Sequence, residues 1–285
     1  MFWQQLANGI TIGSIYALIA LGLTMVYGVL RILHIAHAGI YAFGAYSGLV
    51  AFRLVGNFWL SFVIAMILSA GAGYLVQHFL YAPLLSRSRI VPLIASIGLF
   101  TALEEVFRIL GGPYVLPYPA KTGFSAITLG SIRITEYQIL IFAITFPLLA
   151  LLWYIMNKTR IGLAMRATSQ DMEIVTAMGI HADRMVAVNF LIGSALAGAA
   201  GVLVGVYFNS VYPTMGSVPA YKALAIIVLG GLGSVPGAVI AALFIGLSET
   251  LLMGLLTIPL PRDALAFIIM IAVLMFRPHG LLGKE

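Results

Sequence analysis

Cysteine is absent from all 285 residues, and charge is scarce: 8% of side chains, 15 basic and 9 acidic, against about 25% in an ordinary soluble domain. The first absence excludes disulfides, thiol nucleophiles and cysteine-ligated metals. The second excludes a solvated surface for a chain of this size, and with it a cytosolic enzyme, a nucleic-acid binder and a disordered polymer. Several motifs are missing as well. The one Gly-Lys pair, Gly283-Lys284, is followed by Glu285 rather than Ser or Thr, so no phosphate-binding loop is present and the chain is expected not to hydrolyse ATP itself. Neither a Gly-x-Ser-x-Gly elbow nor a His-Glu-x-x-His zinc motif occurs, so nothing supports an intramembrane enzyme.

What is present is apolar length. Hydrophobic residues make up 62% of the chain, and a bilayer core needs roughly 20 of them per helix. That ruler gives six spans, at Leu6–Leu30, Ile35–Phe52, Phe58–Tyr81, Val91–Leu110, Tyr137–Met156 and Met185–Phe208. The apolar run from Leu6 has no basic residue before Arg31 and no small-x-small cleavage site, so it reads as a membrane helix rather than a secretory signal. Beyond Pro219, Tyr221–Leu232 and Ala264–Phe276 are short and Val235–Ile258 is long enough, which predicts half-membrane or broken helices there. The fold class expected is all-α: a polytopic helical bundle forming a single transmembrane domain over 1–285.

Lys and Arg in short loops set orientation. Nine of the fifteen, Arg31, Arg87, Arg89, Lys158, Arg160, Arg166, Arg184, Arg277 and Lys284, fall on one side, and Arg53, Lys121, Arg133 and Arg262 on the other. The majority side is expected to be cytoplasmic, with the N-terminus outside, the C-terminus inside and seven or nine crossings.

Lipid gives helices no hydrophobic reason to associate, so backbones approach through small residues four apart. Gly9, Gly13 and Ala17 form one such ladder; Gly193, Ala197, Gly201 and Gly205 a second; Gly44 and Gly48 a third; Gly233, Gly237 and Ala241 a fourth. The first and sixth spans also share Ile-Gly-Ser, at Ile12 and Ile192, and Ala17, Ala20 and Tyr27 recur at the same offset as Ala197, Ala200 and Tyr207. These spans run oppositely on the expected topology, which suits an inverted repeat; chance recurrence of small residues is the alternative.

Two stretches break helical continuity. Leu229-Gly-Gly-Leu-Gly-Ser-Val-Pro-Gly-Ala238 should line a cavity or make a tight hairpin, because free backbone inside a membrane must be covered. His34-Ile-Ala-His37-Ala-Gly39-Ile-Tyr41 is the other. Its two histidines lack a carboxylate or third histidine nearby, so a structural or pore-lining role is preferred to metal. His37, Tyr41 and Ser234 are the candidate pathway residues, since polar groups at helix breaks commonly form transporter sites. Glu104 and Arg108 have i, i+4 spacing for a pair near the end of the fourth span, while Lys222 and Glu249 have no evident counterpart.

The loop 157–184 lies on the basic side. Thr168 with Asp171 resembles a capping box, Met172, Val175 and Met178 share a helical face, and Gly179 is a stop, which together predict a short protruding helix. Its apolar face is expected to bury against a partner or the end of the bundle. Glu173 six residues before Gly179 resembles the Glu-Ala-Ala-x-x-x-Gly loop of ABC importer permeases, with Ile174 and Val175 in place of the alanines. Asn8–Ala20, Met25-Val-Tyr-Gly28, Arg166-Ala followed by Asp171 and Gly179-Ile180, Lys222-Ala, Leu229–Ala238 and Arg277-Pro-His-Gly-Leu-Leu-Gly283 closely resemble the H-type permease of branched-chain amino-acid ABC importers, nearly end to end.

The resemblance implies a transport subunit of the bacterial inner membrane for branched-chain or other hydrophobic amino acids. It implies a second, M-type permease, two cytoplasmic ATPases that bind ATP and Mg while this chain holds no cofactor, and an extracytoplasmic binding protein. Arg166, Asp171, Met172, Glu173, Val175, Met178 and Gly179 would form the coupling element. One departure stands out: where the family reads Asn-Phe-Ala-His-Gly-Glu, this chain has His34-Ile-Ala-His37-Ala38-Gly39. The urea and short-amide branch of the family is therefore an alternative, and an ion-coupled carrier or channel is the alternative from another class.

Overall fold

The computed structural model describes residues 2–85, 87–88, 90–120, 123–129, 132–255, 262–277 and 280–282. In chain order its helices are α1 (Phe2–Leu30), α2 (His37–Val55), α3 (Phe58–Leu75), α4 (Ile90–Gly111), α5 (Glu136–Lys158), α6 (Arg160–Gln170), α7 (Met172–Ala177), α8 (Ala182–Tyr207), α9 (Ser217–Gly230), α10 (Val235–Leu255) and α11 (Arg262–Phe276). A π turn at Val76–Tyr81 and a 3-10 turn at Ala82–Leu84 prolong α3, and a small hairpin, β1 (Ile127–Leu129) with β2 (Ile132–Ile134), precedes α5.

Among the described residues, seven helices are long and apolar enough to cross a membrane, and Ser217–Gly230 and Asp263–Phe276 are shorter apolar pieces, as the run lengths predict. The apolar windows of α1 and α8 are 83% and 72% buried, against 17% for α4, so the first two form the centre and α4 lies outermost. The glycine ladders explain this. A Cβ on Gly9 or Gly13 would stand 3.0 or 2.9 Å from the α10 backbone at Leu247 or Leu243, and one on Gly193 would stand 2.7 Å from the Gly22 carbonyl. Gly201 lies against the Tyr41 backbone, Gly44 against Gly198, and Ala197 is fully buried. Gly205 serves differently, making room for Val211 and Tyr118 at one end of the bundle.

The chain between α1 and α2 doubles back. Arg31 takes φ 51, and residues 32–36 climb beside α1 until His37 Nε2 meets the Ile19 carbonyl at 3.2 Å. Ile19 lies about 16 Å short of Leu30 at ~1.5 Å per residue, so α2 starts midway along α1. The second half repeats the manoeuvre upside down. Asn209 takes φ 48, Val211 bridges to Leu116, and α9 starts at Gly216, whose missing Cβ leaves room for the Ala38 carbonyl.

The helix starts of the two halves match closely, Phe2 with Ala182 and His37 with Ser217, both 180 residues apart. Val186 and Phe190 cluster with Val29 and Leu30, whereas Gly193 lies against Gly22, so α8 runs opposite to α1. The recurrence of Ile-Gly-Ser is therefore the trace of an inverted repeat in which α2 and the shorter α9 take matching places, abutting at their N-termini and running to opposite ends.

The Gly-rich stretch 229–238 makes a hairpin at the Leu30 end. Gly231 and Gly233 have φ 102 and 82, Gly28 faces Gly233, and Ser234 Oγ accepts from the Gly237 N–H at 3.2 Å to start α10. Leu281 and Leu282 donate to the Leu229 and Gly230 carbonyls, which ties the C-terminal segment to the same end. Arg31, Arg87, Lys158, Arg160, Arg166, Arg184 and Arg277 gather there. Arg89, Lys121 and Lys284, three other residues of the charge argument, lie outside the described residues.

Candidate functional site

Where α2 and α9 meet, a cavity of about 240 Å³ opens between α1, the 33–38 turn and the first turns of α9. Its walls are mostly apolar, with His34 and His37 as the polar exceptions apart from the Tyr221 ring. Both histidines are buried. The His37 Nε2 contact is with a carbonyl, which only accepts, so this nitrogen carries a proton. His34 Nδ1 lies 2.7 Å from the Tyr81 hydroxyl, with the Tyr81 and Phe190 rings packed on the imidazole at 5.1 and 5.2 Å. Tyr81 closes the π turn that prolongs α3, and such turns shift helical register at functional positions. The two imidazole centroids are 5.8 Å apart, and each has one nitrogen already committed.

Of the candidate pathway residues, His37 lines this cavity. Tyr41 is buried one turn along α2 in the core, and Ser234 is at the Leu30 end, beside a separate groove of about 880 Å³ between α5, α6 and α10 that Arg166 also lines. Gly39 packs on α4: a Cβ there would stand 2.7 Å from Leu103 Cδ1. Glu104, the next residue of α4, accepts from the Ser217 hydroxyl at 2.7 Å, at the start of α9.

That contact corrects the pairing expected from spacing. Arg108 does not take Glu104; it binds Glu105 at 2.7 and 3.0 Å, three residues back and half exposed. Residues three and four apart are both neighbours on a helix, and the tertiary partner on α9 draws Glu104 away.

Lys222 and Glu249 also have counterparts that their sequence positions conceal. Lys222 Nζ, fully buried, lies 2.9 Å from Glu249 Oε1, 3.0 Å from Asp263 Oδ1 and 2.7 Å from the Tyr16 hydroxyl. Tyr16 donates to Glu249 Oε2 and Tyr221 to Asp263 Oδ2, at 3.1 and 2.7 Å. Four helices, α1, α9, α10 and α11, are thus joined by one ionic knot.

The 157–184 segment holds two helices rather than one. Thr159 caps α6 by accepting from Gly162 N–H at 3.1 Å. Thr168 lies inside α6, bonded to the Ala164 carbonyl, so it does not start the next helix. Asp171 does, accepting from the Glu173 and Ile174 amides at 2.9 Å each. Gly179, at φ 85, ends it, and Ile180 N–H returns to the Val175 carbonyl, closing a Schellman stop. Met172 and Val175 turn into the bundle, Met172 against the Val186 and Phe190 cluster. Met178, expected on that face, is instead 76% exposed with Ile174 at 59% beside exposed Glu173. The reason is the stop: Met178 lies beyond the last helical residue, where the chain is already turning.

At the opposite end, Tyr118 is buried beside Gly48 and Gly205 with its amide on Asn209 Oδ1 at 2.8 Å, and burial pushes its phenol up to about 12.

A bundle of long apolar helices, in which α2 and the shorter α9 meet tip to tip beside an internal cavity, defines a multi-pass membrane permease. Residues 5–274 match the family described as branched-chain amino acid transport system / permease component, and the chain belongs to that family. It is 35% identical to the high-affinity branched-chain amino acid transport system permease protein BraD of Pseudomonas aeruginosa, over 99% of this chain and 96% of that protein. It is 33% identical to the corresponding permease protein LivH of Escherichia coli, with the same coverage. Likeness extends to the permease protein LivM of Escherichia coli, 27% identical over 95% of this chain and 68% of that one.

Proposed function

We propose that this chain is the H-type permease subunit of an ABC importer that carries branched-chain or other hydrophobic amino acids inward across the bacterial inner membrane. The likeness to proteins of that transport system, over 99% of this chain and 96% of the relatives BraD and LivH, carries the reading. An M-type permease completes the pathway, paired ATPases supply ATP and Mg, and an extracytoplasmic protein delivers substrate. The N-terminus is outside and the C-terminus cytoplasmic, an orientation supported by the basic residues at the Leu30 end. Uptake of leucine by vesicles holding the full assembly should require internal ATP and persist when the proton gradient is dissipated. Uptake by this chain alone would end the proposal, as would urea or a short amide as the transported solute.

In this assembly α6 and α7 face the ATPases. Asp171 and Gly179 fix the ends of α7, Met172 and Val175 seat it on the bundle, and Glu173, Ile174 and Met178 present the contact, with Arg166 holding α6 to Asn157 at 3.0 Å. Replacing Ile174 and Met178 together by Asp should abolish ATP-driven uptake while the permease remains folded and inserted. Retention of the ATPase on the purified variant, with normal uptake, would remove the docking assignment. Asp171→Ala tests the cap separately: losing it costs about 1 kcal/mol, which should loosen α7 and partly uncouple transport from ATP turnover.

A further inference from the structure

The groove of about 880 Å³ between α5, α6 and α10 has no part in the transport reading. Its size falls within the roughly 300–1,000 Å³ typical of small-molecule sites, and its lining changes character along its length. Leu21, Leu149 and Leu152 line the deep part. Leu21 stands nine residues before Leu30, and Leu149 nine before Lys158, so the groove reaches inward about 13 Å from the basic ends of α1 and α5 at ~1.5 Å per residue. That is nearly the apolar half-thickness of a bilayer, about 15 Å. The shallow part is polar. Asn157, directly before Lys158, lines it together with Arg166, whose Nη1 donates to Asn157 Oδ1 at 3.0 Å. A contact between these two lining residues sets the guanidinium at the mouth.

The charge at that mouth is unanswered. A guanidinium carries five N–H donors, and the bond to Asn157 uses one. Among the described residues no carboxylate pairs with Arg166, and no Asp or Glu lines the groove. Lys158 adds a second cation, with Nζ 5.9 Å from the ring centre of Trp153, which is itself part of the wall. Tryptophan and snorkelling lysine belong to the headgroup level of a membrane. Trp153 on α5 and Ile240 on α10 are about half exposed, so the groove opens sideways between these helices.

Its occupant needs an anionic head with several acceptor oxygens and an apolar tail of leaflet length. A cytoplasmic protein does not reach Leu21 or Leu149 through a bilayer, and an apolar helix of a second permease would leave the guanidinium without a counter-ion. Phosphodiester oxygens take the guanidinium fork in bidentate fashion, and basic pockets between membrane helices favour anionic headgroups. We propose that this groove binds one anionic phospholipid of the leaflet at the basic end, its phosphate on Arg166 beside Lys158 and an acyl chain against Leu149, Leu152 and Val239. The inference needs only that the chain spans a membrane, so it stands apart from the identity of the transported solute.

The test is photolabelling of the permease, purified with its native partners, in vesicles of equal parts phosphatidylglycerol and phosphatidylcholine. One lipid at a time carries a diazirine midway along an acyl chain. Phosphatidylglycerol should label peptides containing residues 149–156 and 235–240 about fivefold more than phosphatidylcholine, the worth of one basic side chain toward an anionic lipid. Phosphatidylcholine offers the same phosphate, but its own cation offsets it. Arg166→Gln should bring the two lipids to within about twofold of each other. Arg166→Lys, which keeps the charge and loses the fork, should retain part of the preference. Val239→Trp fills the apolar part and should lower labelling of these peptides by both lipids. Should a variant fail to fold, the position and lipid preference of the label on the unaltered protein decide. Equal labelling by the two lipids, a preference indifferent to Arg166→Gln, or a partner subunit cross-linked to these peptides in place of lipid overturns the site.

Discussion

Lys222→Met should remove most of the folded permease recovered from membranes. Lys222 is 2% exposed and its ammonium is shared between Glu249 and Asp263, with the Tyr16 hydroxyl as a third contact. Methionine fills the same volume but leaves two carboxylates facing each other with no cation between them. Removing one partner of a buried ion pair costs about 3–5 kcal/mol, a large share of the ~5–15 kcal/mol that holds a typical domain together. Glu249→Gln should be milder, since Asp263 still answers Lys222. Thermal midpoints of the detergent-purified variants, compared with the combination Lys222→Met and Glu249→Leu, measure this. The combined variant should recover part of the loss, because fewer unpaired charges stay buried. A Lys222→Met protein that melts with the unaltered one would show that the four helices do not depend on the knot.

The second large effect concerns backbone contact. Gly44 on α2 and Gly198 on α8 are so close that a Cβ at position 44 would overlap the Gly198 backbone, with its carbonyl oxygen at 2.7 Å. Alanine there must push the two helices apart, at about 1–3 kcal/mol for overpacking, and valine should prevent assembly of the core. Gly193→Ala, opposed by the Gly22 carbonyl, should behave similarly. Gly98 provides the contrast: its Cβ would meet nothing within 4 Å on exposed α4, and alanine is about 1 kcal/mol better in a helix. The ordering expected in thermal midpoint is Gly98→Ala at or above the parent, Gly44→Ala and Gly193→Ala below it, and Gly44→Val lowest. Equal midpoints for positions 44 and 98 would refute the close approach.

These effects also mark what could be read from the amino-acid order. Span positions follow from apolar length, and the short α9 and α11 follow from runs too short to cross, so both are local properties of the chain. The ladders at Gly9, Gly13, Gly193 and Gly201 carry their meaning in their spacing, and the partners they require exist in the fold. Contacts made across long separations were hidden. Lys222 looks isolated because Glu249 and Asp263 lie on two other helices, and nothing local announces that α10 and α11 bring them to one point. Spacing permits Glu104 to pair with Arg108, yet Ser217 of α9 decides the outcome. Thr168 and Asp171 share the chemistry of a helix cap, and only the course of α6 tells which one begins α7. His37 was visible as a polar residue at a break, whereas the cavity beside it depends on a stretch of chain about 180 residues further on folding back upside down.

The contact between Gly216 and the Ala38 carbonyl joins the inward tips of two helices that belong to opposite halves. A rod held at one tip moves least there and most at its far end. With α9 fourteen residues long, an arm of about 21 Å at ~1.5 Å per residue, tilting it by about 10° shifts the Gly230 end by about 4 Å and the Ser217 end hardly at all. The junction therefore works as a fulcrum: force applied to either face of the bundle can swing that face while the histidines at the centre keep their distance from Ile19 and Tyr81.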